Sequence, residues 1–243
     1  MTAKKEPLRL RIVTYNIHKC RGIDGRTHPE RIAAVLERLK PDIVALQEVI
    51  GAGPKRKGQE EEIGDRLGMA CVLAPARTLR GRPYGNALLT RLPIAFHGSY
   101  DLTQQGLEPR FLQRVDLDLQ GHRIHFFNAH LGTSQRERSL QAGRLISHLW
   151  DPAVRGTRIL LGDFNEWRKG PATALLAESL QSLDLLPFLR WRRTYPGILP
   201  LFHIDHIYYR GKVEILKVEV PRRWSALIAS DHMPISVELR ILI

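Results

Sequence analysis

Polar side chains end four apolar stretches of this 243-residue sequence. Asn16 ends the first stretch, Glu48 ends the second, and Asp163 and Asn165 follow the third. The fourth group is the Ser-Asp-His run at 230–232. A carboxylate at the end of a buried strand is costly unless it is paired or binds a cation. These groups therefore predict a site for metal binding and proton transfer.

Each group alone also fits an ordinary structural role. A neighbouring arginine or backbone donors would satisfy Glu48. Asp163 and Asn165 lie two residues apart and share one face if the strand continues, but such residues also bond local backbone in turns. The Asp-His neighbours at 231–232 and in His203–His206 would fix the tautomer and charge of an imidazole. A lone pair of this kind is more often structural than catalytic.

The elements that position these residues alternate between strands and helices. Residues 8–17, 29–40 and 42–49 predict a strand, a helix and a second strand. A polar loop at 51–62 leads into a short helix, and a turn at 120–121 joins a hairpin. The remaining pattern predicts helices at 134–150 and 172–180 and strands at 70–76, 85–90, 94–100, 113–119, 123–129, 157–163, 202–208, 213–220 and 235–242. Two sheets covered by helices would use all of them.

The composition is that of an ordinary globular protein. Hydrophobic residues make up 43% and charged residues 26%, which is enough apolar surface for a core and argues against a disordered chain. The length fits one domain, residues 1–243, with a flexible tail at 1–7. We find no signal peptide or membrane span and expect a cytoplasmic monomer. Cys20 and Cys71 lack the paired spacing of a zinc site and are expected to be free thiols.

Six short motifs occur in a fixed order along the chain: TYNIH, LQEV, FFNAHL, LLGDFN, IDHI and SDHMPI. Together they resemble the endonuclease/exonuclease/phosphatase superfamily over nearly the whole chain, and the size is similar to that of its small bacterial members. This resemblance implies a deoxyribonuclease I-like fold. That fold is a four-layer α/β/β/α sandwich, in which two mixed β-sheets pack face to face with helices outside.

The resemblance also implies a metal site. Asn16 and Glu48 would bind a divalent ion, and Asp231 would assist them or hold a second ion. Mg²⁺ is the expected metal, with Mn²⁺ able to substitute. This agrees with the residue types, because Mg²⁺ prefers oxygen ligands and keeps some of its waters.

The remaining roles implied by the resemblance concern water and the phosphate. Asp163 would orient or deprotonate the attacking water, and Asn165 would bind a phosphate oxygen or hold Asp163. Asp205 would fix the imidazole of His232. That imidazole would stabilise the pentacovalent phosphorane or protonate the leaving oxygen.

Three further residues would approach the phosphate by the same resemblance, namely Asn128, His130 and Arg110. Two positions depart from the family's pattern. Cys20 stands where a glycine is expected, and Ala129 replaces the usual threonine between Asn128 and His130. Neither change removes a residue with an implied chemical role.

The net charge indicates the kind of substrate, but several classes of anionic substrate fit it equally. Lysine and arginine exceed acidic residues by 12, a balance that attracts polyanions. Arginines flank tryptophan at 190–193 and 222–224, and we expect Arg192 and Arg193 to bind substrate. The favoured prediction is that the protein is a nucleic-acid phosphodiesterase or endonuclease. A phospholipid or headgroup hydrolase at an anionic membrane surface is the alternative. An inactive binding module is disfavoured by the intact set of polar residues.

Overall fold

The computed structural model describes residues 7–183, 193–197, 199 and 201–242. Within them the chain forms two six-stranded sheets and five α-helices. The strands are β1 (Leu8–Asn16), β2 (Ile43–Ile50), β3 (Ala70–Leu79), β4 (Arg82–Thr90), β5 (Ile94–Asp101), β6 (Phe111–Leu119), β7 (His122–His130), β8 (Arg158–Asp163), β9 (Gln181–Ser182), β10 (Asp205–Arg210), β11 (Val213–Glu219) and β12 (Ile235–Ile241). The helices are α1 (Pro29–Leu39), α2 (Gln59–Leu67), α3 (Gln135–Leu149), α4 (Pro171–Ser179) and α5 (Trp224–Ala229).

Both sheets are mixed and share one plan. The first has the order β11-β12-β1-β2-β4-β3, and the second has the order β5-β6-β7-β8-β10-β9. Each contains a central parallel pair, β1 with β2 and β7 with β8, flanked by antiparallel neighbours. The carboxyl ends of the two central pairs point to the same end of the molecule, where Asn16 of β1 contacts Asp163 of β8.

Three apolar clusters show how the layers pack. One fills the space between the sheets and includes Ile12, Phe126 and Leu161. A second joins the outer face of the first sheet to α1, α2 and α5, and a third joins the outer face of the second sheet to α3 and α4. This is the four-layer α/β/β/α sandwich that the resemblance implies, and the prediction of the fold is confirmed.

The inner face of the sandwich changes from apolar to polar toward one end. Because side chains alternate along a strand, every second residue faces the space between the sheets. The inward series of three strands are Leu10, Ile12, Thr14, Asn16 on β1; Ile124, Phe126, Asn128, His130 on β7; and Ile159, Leu161, Asp163 on β8. The apolar part holds the sheets together, and the polar part builds the site.

The Gln120-Gly121 turn and most predicted elements form, but several boundaries differ. Both turn residues have positive φ (54° and 78°), as the tight hairpin requires. The strand predicted from Phe202 begins only at Asp205, and Phe202 instead forms an isolated bridge to Tyr195. Helix α5 was not predicted, because six residues are too few for a clear helical period. No helix in the described ranges has both the length and the apolar character needed to cross a membrane.

Candidate active site

A pocket of about 360 Å³ lies where the polar strand ends of the two sheets meet. We call it the central pocket. Four carboxylates and three cationic side chains line it together with two histidines, so its charges are mixed rather than uniformly positive. The lining residues are Lys19, Glu48, Arg77, Tyr84, Glu108, Arg110, His130, Thr133, Asp163, Asn165, Trp167, Tyr195, Ile204, Asp231 and His232.

Asp163 lies at the centre of the polar contacts and is only 1% exposed. Its Oδ2 accepts a hydrogen bond from Asn16 Nδ2 at 2.9 Å. The same oxygen lies 3.6 Å from His130 Nε2 and 3.7 Å from His232 Nε2. Burial raises the pKa of Asp163 to about 6, against the opposing effect of His232. A carboxylate with such a pKa is well suited to accept a proton near neutral pH.

His232 is held by a second buried carboxylate. Its Nδ1 lies 3.1 Å from Asp205 Oδ2, and that oxygen also accepts a hydrogen bond from Thr194 Oγ1 at 2.5 Å. Burial alone would lower the pKa of His232, but Asp205 and Asp163 outweigh it and raise the pKa to about 10. The imidazole is therefore protonated at neutral pH, with Nε2–H facing the central pocket.

His130 differs from His232 in its charge state. Its Nδ1 lies 3.2 Å from Arg110 Nη1, and a guanidinium only donates, so Nδ1 must accept and Nε2 carries the proton. Burial, with the nearby Arg110 charge, lowers the pKa of His130 to about 3. Arg110 is oriented in turn by Glu108, whose Oε2 accepts from Nη2 at 2.9 Å. His130 is thus a neutral hydrogen-bond donor aimed at the position of Asp163.

Glu48 reaches the pocket because β2 bulges at this point. The register with β4 shifts between Leu46 and Val49, and Glu48 has a φ of 58°, in the left-handed region. Burial would raise the pKa of Glu48, but His130, which is charged at the low pH where Glu48 titrates, and then Lys19 outweigh it and lower the pKa to about 2. Lys19 Nζ pairs directly with the Glu48 carboxylate. The carboxylate is therefore ionised and available as a cation ligand.

The oxygen donors beside Asp163 fit a divalent metal. Glu48 and Asp231 line the same pocket, and the Asn16 amide lies 3.3 Å from Glu48 Oε1. Asn16 Oδ1 accepts a hydrogen bond from His18 N at 3.0 Å and keeps a second lone pair that can bind a cation. Two carboxylates and an amide match the preference of Mg²⁺ for oxygen ligands. Asp163, Asp205 and His232 also bring ligand atoms within 4.8 Å of one another, but Asp205 and His232 already hold each other.

Asn165 enters the site by a turn rather than along a continuing strand. Strand β8 ends at Asp163, and Asn165 has a φ of 50°. Its backbone N–H donates to Asp163 Oδ1 at 2.9 Å, and its Nδ2 donates to Leu131 O at 2.9 Å. Of the two alternatives that the sequence left open, a continuing strand or a turn, the structure has the turn, and Asn165 still holds Asp163 and lines the pocket.

Asn128 does not reach the phosphate position. It is fully buried and lies two residues before His130, one step deeper between the sheets. Its Nδ2 donates to Leu46 O, Ala87 O and Gln113 Oε1, and its Oδ1 accepts from Gln47 Nε2 at 2.8 Å. The predicted phosphate contact is wrong. Asn128 instead joins the two sheets through hydrogen bonds directly beneath the site.

Only one of the two arginines predicted to flank the substrate next to Trp191 can be placed relative to the central pocket. Arg192 falls outside the described residues. Arg193 is exposed and does not line the pocket, and Arg222 and Arg223 border a different surface groove. Substrate binding by Arg192 and Arg193 therefore stays a prediction. The other candidate residues, from Asn16 to His232, are within or directly beside the pocket.

Sequence reasoning missed four residues of the site. Lys19 neutralises Glu48, Thr194 orients Asp205, and Tyr195 and Trp167 form an aromatic wall. The Tyr195 ring centroid lies 4.9 Å from that of His232. Two of them could have been found by their position close to a motif, because Lys19 follows TYNIH and Trp167 follows LLGDFN. Residue type alone did not distinguish them from surface residues.

The residue that replaces the expected glycine lies in a left-handed turn. His18, Lys19 and Cys20 have φ values of 45°, 60° and 55°. Glycine adopts this region without steric cost, so the glycine expected at position 20 would fit this backbone. The Cys20 side chain is 1% exposed, and burial raises the pKa of its thiol. The turn places Lys19 against Glu48.

Residues 13–232 match the Endonuclease/Exonuclease/phosphatase family, and the chain belongs to it. Members of this family are hydrolytic phosphoesterases that generally use divalent metals. The match begins just before TYNIH and ends at His232, so it spans the site described above.

Individual relatives have similar length and the same fold. The chain is similar to the uncharacterized protein YbhP of Escherichia coli K12, with 26% identity over 255 residues that cover 99% of this chain and 100% of YbhP. It is also similar to an endonuclease/exonuclease/phosphatase from Bacteroides vulgatus, with a TM-score of 0.81, 15% identity and coverage of 96% and 99% of the two chains. The chain is similar as well to the mannosyl-6-phosphatase of Bacteroides thetaiotaomicron, with a TM-score of 0.77, 20% identity and coverage of 95% and 99% of the two chains. These two structural likenesses show a shared fold.

Proposed function

We propose that this protein is a divalent-metal-dependent phosphodiesterase that hydrolyses nucleic acid by in-line attack of water. One observation supports the chemistry most directly. A buried carboxylate, Asp163, lies 3.7 Å from a histidine that is kept protonated by Asp205. A base and an acid in one pocket are what phosphoester hydrolysis requires of the protein.

The residues divide the reaction between them. Asp163 accepts a proton from the attacking water, with Asn16 and the Asn165 backbone holding its two oxygens. His232 donates its Nε2 proton to the leaving oxygen, while Asp205 fixes the ring. Near neutral pH Asp163 is ionised and His232 is protonated, as their roles require. Neither residue therefore needs an outside acid or base.

Two groups remain for the phosphate itself. The neutral His130 donates its Nε2–H to a phosphoryl oxygen, and Arg110, already bound to His130 Nδ1, adds positive charge behind it. Mg²⁺ or Mn²⁺ held by Asn16, Glu48 and Asp231 would act as a Lewis acid on a phosphoryl oxygen. Asn165, which lines the pocket, is a further proposed donor to a phosphate oxygen.

Nucleic acid is favoured by charge and by exposed aromatic surface beside the pocket. The net charge of +12 attracts a polyanion. Trp167 is 50% exposed at the rim of the central pocket, where a base could stack on it. The family also contains phosphatases of small molecules, such as the mannosyl-6-phosphatase. The distribution of charge, rather than the catalytic groups, separates these possibilities.

A second candidate, hydrolysis of a phospholipid headgroup, is favoured by a different surface. Trp224 is 71% exposed at the start of α5, directly after Arg222 and Arg223. A tryptophan beside two arginines suits the boundary of an anionic membrane. This surface borders a groove of about 590 Å³ that is separate from the central pocket.

The test is a hydrolysis screen with single-stranded DNA, RNA, plasmid DNA, cardiolipin vesicles, sphingomyelin vesicles and inositol phosphates. We expect cleavage of a nucleic acid that disappears in EDTA and returns with Mg²⁺. Full activity in metal-free buffer would overturn the metal-dependent mechanism. Cleavage of vesicle lipids alone would instead assign the second candidate. Glu48→Gln should lose activity. Arg123→Ala, at the opposite end of β7 from His130, is the control and should keep activity.

A further inference from the structure

A second cavity, of about 610 Å³, adjoins the central pocket and shares two of its lining residues, Thr133 and Trp167. We call it the side pocket. It is also lined by Arg138, Arg168, Lys169 and Phe202. Nothing in the proposed reaction uses it. Because the two cavities share a wall, a ligand longer than one phosphoester would extend from one into the other.

The charges of the side pocket differ from those of the central pocket. Its one carboxylate, Glu166, is 4% exposed and already engaged: Oε2 accepts from Thr173 N at 2.8 Å, and Oε1 lies 3.9 Å from Arg138 Nε. Arg168 and Lys169 are exposed, and neither forms a hydrogen bond or ion pair with another described residue. The pocket therefore offers an anion two cations that no described residue pairs with.

A row of aromatic rings connects this pocket to the reacting groups. The Tyr195 ring lies 4.9 Å from His232, Trp167 lies 6.0 Å from Tyr195, and Phe202 lies 4.5 Å from Trp167. Phe202 and Tyr195 pack against Trp167, and half of the Trp167 surface stays exposed. A flat π-face between two anion-binding regions matches the repeat of a nucleic-acid strand, in which bases alternate with phosphates.

We infer that the side pocket binds the nucleotide next to the scissile phosphate, with its base stacked on Trp167 and the following phosphate held by Arg168 and Lys169. This inference rests on the proposed function, because it places the scissile phosphate in the central pocket. It predicts a preference for single strands of several nucleotides over small phosphodiesters. A base that remains paired in a duplex has no free face to offer Trp167.

Binding is measured with an Asp163→Asn protein and a fluorescent single-stranded oligonucleotide of about eight nucleotides. Changing both Arg168 and Lys169 to Ala should flatten the plot of log Kd against log salt by about 1.4 units, or about 0.7 for each lost phosphate contact. Trp167→Ala should weaken binding about 5- to 150-fold without changing the slope, and Trp167→Phe should restore most of the loss. A double change of Arg123 and Lys212 to Ala removes two exposed cations at the far end of the sandwich and should leave the slope unchanged.

Hydrolysis separates failure of this inference from failure of the proposed function. In the active protein, the Arg168/Lys169 double variant should lower kcat/KM for the oligonucleotide relative to kcat/KM for bis(4-nitrophenyl) phosphate. If the protein cleaves both substrates in a Mg²⁺-dependent way but the ratio and the salt slope match those of the control, the side pocket is not a nucleotide subsite. If it cleaves neither, or binds only anionic vesicles, the proposed function and this inference both fail.

Discussion

His125 and His232 are both buried, and each is held through Nδ1 by an aspartate. His125 Nδ1 lies 2.8 Å from Asp116 Oδ1, and His232 Nδ1 lies 3.1 Å from Asp205 Oδ2. The two pairs differ in what surrounds them. Asp116 also accepts two hydrogen bonds from Arg114, at 2.8 and 2.7 Å. His125 Nε2 lies 2.8 Å from Arg155 O, so every polar atom of this pair has a partner.

The Asp205 pair is open on one side. His232 Nε2 faces the central pocket and lies 3.7 Å from Asp163 Oδ2, beyond hydrogen-bond distance. The aspartate–histidine contact is therefore not what distinguishes a reactive pair from a structural one. The distinguishing feature is whether the second ring nitrogen has a fixed partner or faces a cavity. The following predictions test that difference, from the largest expected effect to the smallest.

Removing Asp163 or His232, which face each other on the open side of the Asp205 pair, should nearly abolish turnover. Asp163→Asn and His232→Ala should each lower kcat by about 10²- to 10⁴-fold, because each removes one proton transfer from the transition state. The double variant should be little worse than the poorer single variant, since the two residues act together. Steady-state hydrolysis of bis(4-nitrophenyl) phosphate with Mg²⁺ measures all three. Near-normal turnover of either single variant would show that its role is misassigned.

Breaking the closed pair should lower stability instead of turnover. Asp116→Ala leaves the buried guanidinium of Arg114 without its partner, which typically costs about 3–5 kcal/mol in the free energy of unfolding. Urea denaturation followed by circular dichroism measures that cost. Turnover per folded molecule should match wild type, because His125 lies five residues, or about 16 Å, along β7 from His130. A selective loss of kcat in a folded Asp116→Ala protein would contradict the comparison.

Asp163 and His232 should also control the pH dependence of hydrolysis. With pKa values of about 6 for Asp163 and about 10 for His232, kcat/KM should rise as pH increases through 6 and fall as it passes 10. Asp205→Asn removes the largest influence that raises the pKa of His232, so the upper limb should move to lower pH. A limb that stays in place in this variant would mean that another group titrates there.

The closed pair should be visible in the acid limit of stability. Burial would raise the pKa of Asp116, but its hydrogen bonds with His125 and Arg114 outweigh this and lower it. A depressed folded pKa adds stability above the ordinary carboxyl value of about 3.9, and that stability is lost as pH falls below it. Wild type should therefore lose unfolding free energy more steeply below pH 4 than Asp116→Asn. Parallel curves would show that Asp116 is not stabilised in the folded state.

Much of the site was predictable because strand alternation is simple. Alternation along β8 places Asp163 on the same face as Ile159 and Leu161, at the end of an apolar series. The ordered motifs then indicated that Asn16, Glu48 and His232 lie near it. The sequence did not show which histidine pairs with Asp205. His206 is its neighbour in sequence, but His232 is its neighbour in space. His206 instead packs edge-on against Phe164.

The errors have local physical causes. Asn128 and His130 share one face of β7, and nothing in the sequence shows how deep between the sheets the pocket ends. The sequence left open whether the chain continues as a strand to Asn165 or turns, and a left-handed residue turns it there. Thr194 was missed because its role depends on a contact with Asp205 across 11 positions of the chain. Depth, turns and distant contacts are set by packing rather than by residue pattern.

The 3.7 Å separation of Asp163 Oδ2 and His232 Nε2 has a consequence for the end of each reaction cycle. In the proposed mechanism, turnover leaves Asp163 with one proton more and His232 with one fewer. These two atoms face each other, and a small rotation after product release would bring them within hydrogen-bond distance. The proton could then return directly to the imidazole. Regeneration of the enzyme would not need a proton carrier from solution, so its rate should not depend on buffer concentration.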